Sequence, residues 1–150
     1  LLPDQPNFYL WGSAITQMEP ATFFGGRLHD MGFYPMLVAA EPETAVQGQL
    51  ISVDKSQYSA VVARLDELEG YDPTQPENSA YHRQQGDVVA GNGRSQKAWA
   101  YLGQPTLVSG KPEVSHGDWL SYAAENQLEL QAWWETLSTV AGLNPKQSNG

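Results

Sequence analysis

The spacing of apolar residues changes near Ser56, and the two spacings predict different secondary structure. Before Ser56, short apolar runs are interrupted by glycine and proline, which is typical of strands and turns. The strands predicted in this half are residues 8–11, 22–24, 27–31, 34–38 and 47–53. After Ser56, apolar residues recur every three or four positions as far as Gly70, which predicts a helix.

The second half of the chain begins with a predicted hairpin. Residues 71–79 contain two prolines and are predicted as a loop. Two strands, residues 81–90 and 97–102, are separated by Gly91, Asn92 and Gly93, a strong signal for a tight turn. We therefore expect these two strands to pair directly.

Helices are predicted towards the end of the chain. Ser115 is followed three residues later by Asp118, a capping pattern that predicts a helix beginning near Asp118. A second helical stripe ends at Gly142 and consists of Leu130, Trp133, Trp134, Leu137, Val140 and Ala141. Strand hairpins, a central helix and terminal helices predict an α+β fold. We expect one domain over residues 1–143 and a flexible tail over residues 144–150.

Composition narrows the classes of function. A chain of 150 residues, 41% of them hydrophobic, can bury a core without metal or disulfide support. The net charge of −9 repels phosphate backbones and anionic lipids, so we expect neither a nucleic acid nor a membrane as a partner. The absence of cysteine removes thiol chemistry. Without a signal-peptide pattern or a long apolar run, a soluble cytoplasmic protein is expected.

Glu69 is the candidate residue that stands out from the pattern. At about 100° per residue, it falls inside the apolar stripe formed by Tyr58, Val61, Val62, Leu65 and Leu68. Glu67 falls on the opposite side, and Asp66 lies near the edge at about 80° from Tyr58. Only Glu69 is therefore expected to face inward, where an unpaired carboxylate costs several kcal/mol.

Two effects are expected to raise the pKa of Glu69. Burial disfavours the carboxylate anion, and so does the negative end of the helix dipole. A carboxyl group of this kind is suited to taking and returning a proton near neutral pH. The alternative is that the helix frays before Gly70 and leaves Glu69 in solvent.

Several motifs, in this order, resemble the gamma-glutamylcyclotransferase-like family. The segments that carry the resemblance are LWGSA (10–14), GRLHDMGFYP (26–35), GQLISVD (48–54), LDELEGYDP (65–73), YHR (81–83), AWAYL (98–102) and GDWLSY (117–122). The resemblance implies a compact mixed β-barrel with peripheral helices and a small polar cavity. It also implies a cofactor-independent cyclotransferase, in which the free amine of a gamma-glutamyl amine or peptide attacks its own side-chain carbonyl and releases 5-oxoproline and an amine.

The resemblance also implies roles for particular residues. Glu69 matches the acid/base glutamate of the family. Gly12, Ser13 and Ala14 match a loop whose backbone N–H groups hold the substrate carboxylate or the developing oxyanion, with an ordinary turn as the alternative. Tyr101 is expected either to point its hydroxyl into the cavity or to be a buried strand aromatic.

Two departures from the family pattern bear on substrate choice. Trp11 stands where the family usually has Tyr, which removes a hydroxyl and adds bulk beside the loop. The segment of residues 15–26 is shorter than the corresponding segment of the family, which predicts a more open pocket. Both departures leave open an alternative function, a non-catalytic small-molecule binding module on the same fold.

The other polar candidates predict little chemistry. His29, His82 and His116 show no metal-ligand spacing, so neither a metal nor a cofactor is expected. Arg83 is expected to pair with an acid, and the alternative is that it orients the loop beside Glu69. A further alternative is an interaction domain that uses the aromatic C-terminal helix, and the sequence does not fix the oligomeric state.

Overall fold

The computed structural model describes residues 7–32 and 34–126, in which strand hairpins surround one central helix. The strands and helices are β1 Ile15–Phe24, β2 Gly26–Asp30, β3 Pro35–Ala39, β4 Ala45–Val53, α1 Tyr58–Glu69, β5 Tyr81–Ala90, β6 Ser95–Gly103 and α2 Trp119–Glu125. Single turns of 3-10 helix cover Phe8–Trp11, Pro76–Asn78, Pro105–Val108 and Ser115–Gly117. The predicted α+β class is confirmed.

The main sheet has the strand order β4-β1-β5-β6, and all of its neighbours are antiparallel. β1 pairs with β4 along nearly its whole length, whereas β5 pairs only with the Ala21 to Phe24 part of β1. β5 and β6 form the predicted hairpin, with Tyr81 opposite Gly103. The turn is closed by the Gly93 N–H, which donates to the Ala90 carbonyl at 2.8 Å.

The closed barrel predicted from the resemblance is not formed by the described strands. β2 and β3 pair with each other in a separate two-stranded sheet. This small sheet meets the main sheet through side chains, because Met36 of β3 packs in the space above Gly103 of β6, where a side chain would otherwise lie. Packing of this kind covers the end of the sheet without the hydrogen-bonded ladder that closes a barrel.

The N-terminal run Phe8–Trp11 is a 3-10 turn, so the predicted strand is wrong. The Leu10 N–H donates to the Asn7 carbonyl at 3.0 Å, and the Gly12 N–H donates to the Tyr9 carbonyl at 2.9 Å. Asn7 and Gly12 flank the turn with φ of 71° and 59°, and a positive φ is a conformation that glycine adopts without steric cost. The first strand starts only at Ile15.

The helix predicted near Asp118 is confirmed as α2. The Asp118 side chain caps it by accepting from the Ser121 N–H at 3.3 Å. Trp119 and Ala123 of α2 are buried with Leu28 and Val46 in one core cluster. The helical stripe from Leu130 onwards and the tail over residues 144–150 lie outside the described residues.

The length and hydrophobicity of the helices show whether any of them could span a membrane. Within residues 7–32 and 34–126, no helix is both long enough and apolar enough to cross a bilayer.

Candidate functional site

The end of α1 is well defined and places Glu69 inside the last helical turn. Gly70 has φ of 63°, a left-handed conformation that suits glycine at a helix end. The Gly70 N–H donates to the Glu67 carbonyl at 3.2 Å, and the Tyr71 N–H donates to the Asp66 carbonyl at 2.8 Å. These bonds satisfy the terminal carbonyls, so the alternative in which the helix frays before Gly70 is wrong.

Glu69 is partly buried, and this burial raises the pKa of its carboxyl group. Desolvation destabilises the anion, so the group holds its proton to a higher pH than an exposed glutamate does. Among residues 7–32 and 34–126, no side chain donates a hydrogen bond to this carboxylate that would offset the loss of water. Glu67, two residues earlier, is exposed.

A cavity of about 550 Å³ lies between α1 and the main sheet, and Glu69 lines it. This volume is within the range of small-molecule sites. Trp11 and Tyr101, two other residues predicted for the site, also line the cavity, as does Arg83. The structure therefore brings together three predicted residues from the N-terminal turn, the central helix and the last strand of the sheet.

Asp66 is a second inward-facing acid, contrary to the prediction that only Glu69 faces inward. Its side chain is 14% exposed. The Tyr101 hydroxyl donates to Asp66 Oδ1 at 2.5 Å, and Arg83 Nε lies 3.2 Å from the same oxygen. The Arg83 N–H is not aligned for a hydrogen bond, so this contact is an ion pair. The predicted pairing of Arg83 with an acid is confirmed.

Arg83 is also held by two aromatic rings. Its guanidinium carbon lies 5.2 Å from the centre of the Trp99 ring and 5.8 Å from that of Tyr71. Both distances are within the range of cation–π attraction. Since Trp99 lines the cavity, the charge of Arg83 is fixed beside the site by β5, β6 and the loop after α1.

Two tyrosines near Glu69 remain neutral well above physiological pH. Burial raises the pKa of Tyr101, and the hydrogen bond to Asp66 and the charges of Asp66 and Glu69 raise it further. Burial likewise raises the pKa of Tyr81, with a second contribution from the charge of Glu69. The single O–H of Tyr101 is used in the hydrogen bond to Asp66. The Tyr101 oxygen can therefore only accept a hydrogen bond from any other group.

The loop of Gly12, Ser13 and Ala14 lies next to Trp11, but its three residues do not line the cavity. The Gly12 N–H donates to Tyr9, and the Ala14 N–H donates to the Trp11 carbonyl at 3.3 Å. Ala14 is fully buried and packs with Val61 and Leu65 of α1. The loop thus anchors the N-terminal turn to the helix, and two of its three N–H groups already have acceptors.

The described residues contain no group of three or more histidine, aspartate or glutamate side chains placed to hold a metal ion. The polar side chains that line the cavity include Glu69, Arg83 and Tyr101, and Asp66 contacts the last two from behind the lining. This set can exchange a proton, bind an anion through Arg83 and accept a hydrogen bond through Tyr101.

Comparison with known proteins identifies the family. The family model described as gamma-glutamyl cyclotransferase, AIG2-like, matches residues 1–121. The chain belongs to this family. Membership of the AIG2-like gamma-glutamyl cyclotransferases supports a cyclotransferase-type function in general.

Two further comparisons complete the relation to known proteins. A protein of Arabidopsis thaliana with a known solution structure is similar at 19% identity, with a TM-score of 0.48 over 88% of this chain and 83% of that one. No curated protein sequence matches the chain.

Proposed function

We propose that the protein is a cofactor-independent cyclotransferase that converts a gamma-glutamyl amine or peptide to 5-oxoproline and a free amine. Glu69 serves as the general acid/base. The observation that carries the proposal is the placement of Glu69, a partly buried carboxyl group with a raised pKa, in the wall of the cavity. The family to which the chain belongs supports the same class of reaction.

The proposed reaction suits a site that has positioned polar groups. Nucleophile and electrophile belong to one substrate molecule, so the protein has to hold the folded-back conformer in which the amine faces the side-chain carbonyl. Such positioning is worth several kcal/mol of the barrier. Glu69 and the Tyr101 oxygen provide two hydrogen-bond acceptors for the α-ammonium group of the substrate.

The reaction requires one base that removes protons from the attacking nitrogen and delivers them to the leaving nitrogen. Ionised Glu69 removes a proton from the α-ammonium, and the free amine attacks the side-chain carbonyl carbon to form a tetrahedral intermediate. Glu69 passes protons from the attacking nitrogen to the leaving nitrogen, the bond to the leaving amine breaks, and the carbonyl re-forms. Two protons move in all, the amine leaves as an ammonium ion, and Glu69 ends ionised as it began.

The substrate carboxylate needs a partner of opposite charge or a set of donors. We propose that the loop of Gly12, Ser13 and Ala14, which adjoins the cavity through Trp11, contributes the backbone N–H of Ser13, because the N–H groups of Gly12 and Ala14 already donate within the turn. Trp11, adjacent to the loop, packs against the substrate. Arg83 adds positive charge at the cavity wall.

The proposal is tested by incubating the purified protein with a panel of gamma-glutamyl amino acids and amines and measuring 5-oxoproline. We expect product from the parent and at least a hundredfold less from Glu69→Gln, which keeps the size of the side chain and removes the base. Equal rates for the two proteins would exclude Glu69 as the acid/base. Absence of product from every substrate, with both proteins folded, would contradict the cyclotransferase proposal.

A non-catalytic binding module is the second candidate, and one observation favours it. The N–H groups of Gly12 and Ala14 are used within the turn, so a preformed oxyanion site has fewer free donors than the family resemblance implies. This candidate predicts that a gamma-glutamyl ligand raises the melting temperature without any 5-oxoproline being formed.

A further inference from the structure

We propose that the cavity contains an apolar subsite for the leaving amine, so that the preferred substrates are gamma-glutamyl amides of apolar amines. This inference rests on the proposed cyclotransferase function. It follows from the part of the cavity that extends away from Glu69 along the main sheet.

Two separate apolar clusters contribute residues to the cavity wall. The helix-side cluster has Ala14, Val61 and Leu65 at its centre, packed with Leu10, Trp11, Val53 and Tyr101. The sheet-side cluster consists of Ala21, Phe23, Leu50, Val88 and Ala98. All five residues of the sheet-side cluster line the cavity, although they share no member with the cluster beside Glu69.

The length of the wall shows that the cavity extends beyond the polar groups. Val46, Gly48, Leu50 and Ser52 share one face of β4 and all line it, and a strand segment of that span covers about 20 Å. Glu69 lies on α1 with Val61 and Leu65, and Trp11 and Tyr101 pack against this helix-side cluster, so Glu69 lies at the helix-side end of the cavity. The gamma-glutamyl unit occupies this end, which leaves the sheet-side cluster for the leaving amine.

Gly48 provides space at the middle of this wall. It lies on β4 opposite Ala21, and both residues line the cavity. Apart from the residues next to Gly48 in the chain, no atom of the described residues lies within 4 Å of the position that a Cβ atom on Gly48 would take. Ala21, Gly48 and Ala98 together leave room for a substrate group on the face of the sheet.

The charges along the cavity disfavour a cationic leaving group at the sheet side. Among the described lining residues, the charged ones are Glu69, Arg83 and Lys97. Lys97 is itself cationic and pairs with Asp87 at 2.5 Å, with both side chains mostly exposed. The sheet-side cluster offers no acid, so an ammonium group placed there would lose water without gaining a partner.

The test uses a series of gamma-glutamyl amides of methylamine, butylamine, hexylamine and 1,5-diaminopentane. The last matches hexylamine in length but ends in a cation. Dissociation constants are measured in Glu69→Gln, where the chemistry is switched off, and kcat/KM is measured in the parent. We expect at least tenfold tighter binding of the butylamide than of the methylamide, since burial of each methylene is worth about fourfold. The cationic amide should bind more weakly than the hexylamide.

A second experiment fills the apolar part of the cavity by substitution of Gly48. Gly48→Leu should abolish most of the preference for the hexylamide over the methylamide, and Gly48→Ala should reduce it in part. Gln47→Leu adds the same side chain at the neighbouring exposed position of β4 and should leave the ratio unchanged. The alanine variant is retained for the case in which the leucine variant does not fold.

The outcomes separate the inference from the proposed function. Equal affinity for all four amides, or a preference that Gly48→Leu and Gly48→Ala leave intact, would overturn the apolar subsite. Absence of 5-oxoproline together with a clear binding preference would contradict the cyclotransferase function but support the apolar site.

Discussion

Asp66 and Glu69 lie one helical turn apart at the end of α1, and their surroundings differ. Asp66 receives the Tyr101 hydroxyl at 2.5 Å and has Arg83 beside it at 3.2 Å. Glu69 lines the cavity, and burial raises the pKa of its carboxyl group. Asp66 has a hydrogen-bond donor and a cation as partners, whereas Glu69 has lost water without gaining donors among the described residues.

This difference indicates two separate roles. The Asp66 carboxylate holds Tyr101 and Arg83 in place through one oxygen, and such charge-assisted contacts order a site. A desolvated carboxyl group with a raised pKa takes and returns a proton more readily near neutral pH. We therefore propose a positioning role for Asp66 and the acid/base role for Glu69.

The largest effect is expected from loss of the base at Glu69. Glu69→Gln should lower kcat for 5-oxoproline formation by about a hundredfold to ten-thousandfold, the usual range for general acid–base catalysis. Glu67→Gln removes the same charge from an exposed position of the same turn and should retain the parent rate. A similar loss in both variants would mean that net charge, rather than position, controls the activity.

Asp66→Asn should have a smaller effect on activity and a larger effect on stability than Glu69→Gln. It leaves Arg83 without its anionic partner, which we expect to cost about 1–3 kcal/mol in the free energy of unfolding. Urea unfolding measures this cost. Activity should fall about tenfold through misplacement of Tyr101 and Arg83, and a loss as large as that of Glu69→Gln would contradict the positioning role.

The contact between Tyr101 and Asp66 is tested by a double-mutant cycle. Tyr101→Phe removes one hydrogen bond to a charged acceptor and should destabilise the fold by about 1.5–3 kcal/mol. Combined with Asp66→Asn, its cost should be smaller than the sum of the single costs, because the two residues share one bond. Additive costs in urea unfolding would show that the bond contributes nothing to stability.

The smallest effect is a pH-dependent gain in stability for Glu69→Gln. The folded state raises the pKa of Glu69, so the native protein binds this proton more tightly than the unfolded chain does. Below the ordinary glutamate pKa both states are protonated, and parent and variant should have similar stability. As pH rises through the folded pKa the parent alone becomes less stable, so the variant should melt higher at neutral pH. Identical melting temperatures from pH 4 to about pH 8 would contradict this assignment.

Local patterns were sufficient for the hairpin and the helix. The glycines at 91 and 93 mark the turn between β5 and β6, and the apolar spacing after Ser56 predicts α1 up to Gly70. In contrast, the four apolar residues Phe8–Trp11 are too few to distinguish a strand from a 3-10 turn.

β1 was only partly predicted for a physical reason. Its first six residues are mostly exposed and end with Pro20, a residue that disfavours central strands. β5 pairs with β1 only from Ala21 onwards, so the proline lies where the pairing on that side ends. A sequence pattern cannot indicate that one side of a strand lacks a partner over half its length.

The candidate site was predicted only where it depends on local sequence, because the pattern along the chain does not show which strands pair. Glu69 was identified from the helical stripe, a local feature. Asp66 lies at the edge of that stripe, and its partners Tyr101 and Arg83 come from β6 and β5. Sheet register brings these residues together, and the spacing within one helix carries no information about it.

The pH dependence of kcat/KM for the best gamma-glutamyl substrate, compared between the parent and Glu69→Gln, tests the role of Glu69 most directly. We predict that the acid limb of the parent profile has its midpoint above the ordinary glutamate pKa, because burial raises the pKa of the Glu69 carboxyl group. The limb should be absent from the residual activity of the variant. A limb at the same pH in both proteins would show that another group is the base.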